Sequence, residues 1–183
     1  MATPKRVFSI YHQLGLDAAL IRDFLVAKGD KVSGTVNLLC TRDAGKLLRK
    51  WGEEMHELCG VLDGSHDDPY AMEATQTYYW ASLYAVVQGA DWAGLDMDAQ
   101  RMTAATCGIG SVPELKAQVD RLIGLDPAQA KPQKLFLLWW AARWIYEAQT
   151  HADHQISVDQ LMEIDLQDMK KRAYLEPILA KIS

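Results

Sequence analysis

The sequence predicts an all-α protein, a helical bundle built around a central antiparallel helix pair and completed by oligomerisation. Apolar residues recur at three- and four-residue spacing along most of the chain, and no run of β-branched residues alternates with polar ones. The 183 residues, 49% hydrophobic and 23% charged, have the length and composition of one globular domain, taken as 1–183, with no internal repeat, low-complexity run or interdomain linker.

The first helix is expected from a cap at Asp17 through Leu20, Ile21, Phe24 and Leu25 to Gly29, followed by a short helix around Val32 to Leu39. A long helix over Arg42 to Leu62 follows, since Leu47, Leu48, Trp51, Met55, Leu58 and Val61 form one apolar stripe. The polar segment from Asp63 to Pro69 is a loop with a cap and a proline near a first helical position, and a second long helix runs from it to Gln88. Glycines punctuate the middle of the chain and leave room for shorter helices over Met97 to Thr106 and Pro113 to Leu122. A strongly apolar helix spans Pro132 to His151 with Trp139, Trp140 and Trp144, and Ser157 or Asp159 caps a last one reaching Arg172.

Charge and cysteine usage narrow the function. A formal net charge of −5 with pI near 5.5 argues against a large basic surface for a nucleic-acid polymer. Three widely spaced cysteines without a Cys-x-x-Cys pair suggest thiols in a reducing compartment rather than a disulfide framework or zinc knuckle. The amino terminus has no apolar run of signal-peptide length, and the apolar stretch Leu135 to Ala142 stops at Arg143, so a cytoplasmic protein without membrane contact is expected.

The chemistry concentrates in Lys50-Trp51-Gly52-Glu53-Glu54-Met55-His56-Glu57. Glu53 and Glu57 stand one turn apart and Glu54 and Glu57 three residues apart, giving one negative patch whose mutual repulsion a hard divalent cation would reverse. On the next helix Glu73 and Gln76 share a face, and an antiparallel hairpin across the 63–69 loop would bring both oxygen sets to one Mg²⁺ site.

The stretch Lys46 to Glu57, followed sixteen residues after Glu57 by Glu73-Ala74-Thr75-Gln76-Thr77-Tyr78-Tyr79, resembles the all-α nucleoside triphosphate pyrophosphohydrolases, whose signature is Glu-Glu-x-x-Glu, a spacer and Glu-x-x-Asp. The lead-in to the glutamates and Tyr79 look especially like the phosphoribosyl-ATP pyrophosphatase branch, and the similarity covers a MazG-like core over about 39–88. The resemblance implies a Mg²⁺-dependent enzyme, with Mn²⁺ as a substitute, that cleaves the α–β phosphate bond of an NTP, a dNTP or a phosphoribosyl-ATP-like substrate. It implies Glu53, Glu54, Glu57, Glu73 and Gln76 as metal ligands, with the base among Glu53, Glu54 and Glu57. Lys46, Lys50 and Tyr79 become substrate contacts, and the assembly a homodimer or homotetramer. Gln76 stands where the family has aspartate, which leaves open a weakened enzyme or a nucleotide-binding protein that has lost turnover.

Other groups read more plainly. Glu147, His151 and His154 have the spacing of a helical metal set but suit an ordinary polar helix end, and Lys170, Lys171 and Arg172 suit a helix C-terminus. His56 and His66 are expected to be structural or exposed, and the aromatic residues mostly core or oligomer interface.

Overall fold

The computed structural model describes residues 2–182, and among these residues there are helices and no strand. In order they are α1 (Pro4–Lys28), α2 (Gly34–Thr41), α3 (Ala44–Asp63), α4 (Tyr70–Val87), α5 (Trp92–Leu95), α6 (Met97–Ala104), α7 (Val112–Ile123), α8 (Pro132–Gln149), α9 (Val158–Lys170) and α10 (Glu176–Lys181), with single 3₁₀ turns at Ala152–His154 and Ala173–Leu175.

The start of α1 corrects the expected one. Thr3, not Asp17, is the cap: its hydroxyl accepts from the Arg6 N–H, and Pro4 fills the first turn, where a missing N–H costs nothing. Val7, Phe8, Ile10, Tyr11 and Leu14 then make a buried face upstream of Asp17. Asp17 lies inside the helix and accepts from Gln13 Nε2 at 2.9 Å, an i, i+4 contact rather than a cap. The short helices α5 and α10 lie outside the expected set, because segments of four and six residues are too brief to show a period.

The expected hairpin of α3 and α4 is the centre of the bundle. Helix α3 turns Leu47, Leu48, Trp51, Met55 and Leu58 inward, leaves Lys46, Arg49 and Glu53 exposed, and directs Glu54 and Glu57 along the seam with α4. Helix α4 has no such polar side. It packs against α1, α2, α3, α8 and α9, and Tyr78, Tyr84, Leu83, Ala74 and Ala81 are all fully buried on it. Two side chains tie its backbone neighbours together: Tyr78 donates to the Pro4 carbonyl at 2.7 Å, and the Trp139 indole N–H donates to the Ala74 carbonyl at 2.8 Å. Of the two expected caps, Ser157 and Asp159, it is Ser157 that opens helix α9, reinforced by Gln160 in a reciprocal capping box.

Helix α1 crosses α4 closely at Gly15. A Cβ there would sit 2.2 Å from Val86 Cγ1, a branched side chain with no free rotation away from the contact. Gly15→Ala is therefore expected to lower stability by about 1–3 kcal/mol through overpacking, despite the better helix propensity of alanine. Urea unfolding checks this, and an equal or higher midpoint for the variant would contradict the close crossing.

Candidate metal centre

Glu73 is the innermost acid of the molecule's acidic cluster. It occupies the first turn of α4, where the helix dipole favours a carboxylate, yet it is 0% exposed and neither of its oxygens has a hydrogen-bond partner. Such a group is costly to keep ionised. Burial is the main reason its pKa rises from 4.5 to about 7, with the charges of Glu57, Glu54 and Asp68 adding to the rise and His66 opposing it.

Glu57 faces Glu73 from α3, and His66 closes the group from the connecting loop: one ligand atom from each of the three lies within 4.8 Å of the others. That spacing allows a single cation to bridge them, since oxygen and nitrogen ligands on opposite sides of a small divalent ion stand about 4 Å apart. Glu54 borders the group, with one carboxylate oxygen buried and unpartnered and a pKa raised first by burial and then by Glu57. His66 Nε2 stands 3.9 Å from Glu73 and 2.8 Å from Asp68 Oδ2, but the latter contact lacks the direction of a hydrogen bond, so this nitrogen too is unsatisfied.

Local structure accounts for the loop. Asp63 accepts from the Ser65 backbone N–H and hydroxyl and from Lys116, which fixes the turn after α3. Gly60 then admits the returning chain, because a Cβ at that position would come within 2.9 Å of the His66 Cβ. A polar loop that the sequence marks only as a turn thus delivers a nitrogen ligand to the acids.

The remaining expected site residues separate from this group. Glu53 is exposed and bonded to Lys50, and Lys46 is exposed at the start of α3. Gln76 and Tyr79 line a different cleft, between α4 and α9, in which Tyr79 shares a hydrogen bond with Thr35 at 2.8 Å. His56 pairs with Asp120, while His66, expected to be structural or exposed, belongs to the cluster. Glu147 is taken by Arg143 at 2.6 Å and His151 faces Asp153, so these side chains form no metal set. The signal that could have found His66 was its place in the loop that joins the two acid-bearing helices.

No helix among the described residues is long and apolar enough to cross a membrane, and the three cysteines are free thiols. No family model matches the chain, and neither a curated protein nor a solved structure is found to be similar to it.

The raised pKa of Glu73 has a sign. A carboxyl that holds its proton more tightly folded than unfolded stabilises the fold below its unfolded pKa of about 4.5, and that contribution is lost as pH rises through about 7. In EDTA, the protein is expected to lose thermal stability across this interval, and Glu73→Gln to remove that part of the loss, raising the midpoint at pH 8 by roughly 5 °C. Melting curves from pH 4.5 to 8 test this; a variant less stable than the parent at pH 8 would contradict the account.

Proposed function

We propose that Glu54, Glu57, Glu73 and His66 hold a divalent cation at the seam of α3 and α4, and that the protein is a metal-dependent pyrophosphohydrolase of a nucleotide polyphosphate. The observation that carries this reading is the buried Glu73, whose two oxygens have no donor and which meets an unpartnered imidazole nitrogen and two further carboxylates. Native proteins seldom leave so many buried polar atoms without partners, and a cation satisfies all of them at once. The resemblance of residues 39–88 to the all-α pyrophosphohydrolases supplies the reaction class.

A nitrogen donor among the oxygens is less suited to Mg²⁺, which prefers an all-oxygen shell, and favours Mn²⁺. Bound there, a divalent cation supplies neutralisation of phosphate oxygens and acidifies the attacking water. Glu57 and His66, the more exposed members, face incoming substrate, whereas Glu73 anchors the centre from inside. Lys50 exchanges its contact with Glu53 for a substrate phosphate, and a glutamate of α3 accepts the water's proton. Leu16, Leu20 and Phe24, exposed at one-turn spacing on α1, support a homodimer or homotetramer through an apolar face.

Gln76 favours a second reading. It replaces the signature aspartate and lines the α4–α9 cleft, which supports a protein that binds metal and nucleotide but turns over slowly or not at all.

Calorimetric titration with MnCl₂ and MgCl₂ is expected to show one Mn²⁺ site per chain, bound at least tenfold more tightly than Mg²⁺, lost in the Glu57→Gln plus Glu73→Gln variant and with its Mn²⁺ preference removed by His66→Ala. Pyrophosphate release from a panel of NTPs, dNTPs and phosphoribosyl-ATP with Mn²⁺ follows, and is expected to be lost in the same Glu57→Gln plus Glu73→Gln variant. A folded protein that binds no divalent cation overturns the metal centre. Metal binding without pyrophosphate release selects the non-catalytic reading.

A further inference from the structure

On another face of α4 from the metal centre, a cleft of about 390 Å³ opens between α1, α4 and α9, and its chemistry is unlike that of the acidic group. Asp165 of α9, only 6% exposed, lines it. The Tyr11 hydroxyl donates to Asp165 Oδ1 at 2.7 Å, but Oδ2 is buried and has no partner. Thr75 of α4, 8% exposed, lines the same cleft, and its hydroxyl is also buried without a partner. A free acceptor on one wall and a free hydroxyl on the other thus belong to one cavity, although residues of two distant segments supply them.

The other walls restrict what would satisfy these groups. Arg172, half-buried, donates to Asp168 at 2.7 Å and to the Thr35 hydroxyl at 3.2 Å, and Lys171 stands at the rim. Two cations beside a carboxylate disfavour an ammonium or guanidinium ligand, and a free anion would meet Asp165 and Asp168. The cleft therefore suits a neutral molecule that offers an N–H to Asp165 and an acceptor to the Gln76 amide or the Arg172 guanidinium. The rings of Tyr11 and Tyr79 and the side chains of Met72 and Ile164 add flat, apolar surface. Burial pushes the Asp165 carboxyl up to about 7, as expected of an acid that lacks its full set of donors.

We infer that the α1–α4–α9 cleft binds a neutral nitrogen heterocycle bearing N–H donors, of the nucleobase class, with Asp165 and Thr75 as its inner contacts and Gln76 and Arg172 as its outer ones. The volume fits a mono- or bicyclic ring with its sugar, at the lower end of the usual small-molecule range of roughly 300–1,000 Å³. Asp165 Oδ2 is buried, so a ligand reaches it by moving side chains of the cleft, among whose lining Met72 and Lys171 are exposed. The site stands on its own groups and does not depend on a cation between Glu57 and Glu73.

Nucleosides lack phosphate, so they separate this cleft from the metal centre. Adenosine, guanosine, cytidine, uridine and inosine are titrated calorimetrically into the full-length protein in EDTA, with ammonium, arginine and inorganic phosphate as the competing chemistries. At least one nucleoside is expected to bind with a Kd below 1 mM, about −4 kcal/mol. Asp165→Asn and Gln76→Ala are each expected to weaken it tenfold or more, while Glu73→Gln leaves it unchanged. Circular dichroism confirms that the variants fold, and Thr75→Val serves as the near-isosteric variant if Asp165→Asn does not. Binding of the amine or phosphate probes alone, no binding of any nucleoside, or affinity unaffected by Asp165→Asn and Thr75→Val would each overturn the assignment. Failure of metal binding in the preceding experiments would leave it standing.

Discussion

Helix α4 is enclosed by five other helices, and this enclosure is the constraint on which the rest of the molecule depends. A helix covered over most of its surface has little solvent face, so each polar atom it buries must find a partner in the protein or stay unsatisfied at a cost of about 1–3 kcal/mol. Most of them find one. The hydroxyls of Thr77 and Ser82 donate back to carbonyls one turn earlier, Tyr78 reaches the start of α1, and Tyr84 donates to the Pro127 and Ala130 carbonyls.

Two buried polar residues of α4 do not, and each opens on a different neighbour. Glu73 meets α3 and the hairpin loop, where all its company is acidic apart from one imidazole; Thr75 meets the cleft in front of α9, where its company is a carboxyl, a guanidinium and two tyrosines. The first arrangement underlies the proposed cation site and the second the proposed site for a neutral donor, because acids dominate around Glu73 whereas Asp165 and Asp168 are balanced by Lys171 and Arg172 around Thr75. One largely buried helix thereby keeps the two orphaned groups in separate surroundings.

The acids of the candidate metal centre are legible as residues but not as a set. Glu53, Glu54 and Glu57 lie on one helix, and a spacing rule puts them together; yet Glu53 turns out to Lys50 while Glu54 and Glu57 turn toward Glu73. The rule fixes Cα directions, whereas a long side chain chooses among rotamers according to which charge lies nearest. His66 escapes the rule altogether, since no periodicity governs a loop and its position follows from the Asp63 turn and the room left at Gly60. Asp165 escapes for another reason: on the sequence it is one acid of an ordinary amphipathic helix, and its burial depends on where α1 lies.

By itself the amino-acid sequence determined the helical class, the α3–α4 hairpin with its polar loop, a cap at Ser157 or Asp159 and the acidic stretch, because each rests on periods and turn chemistry acting within a few residues. Only the tertiary structure decided that α1 starts at Pro4, that His66 joins Glu57 and Glu73, and that Gln76 and Tyr79 look into a cleft with Asp165. These depend on which surfaces α4 buries against its neighbours, and burial is a property of contacts between segments far apart in the chain, which no local pattern records.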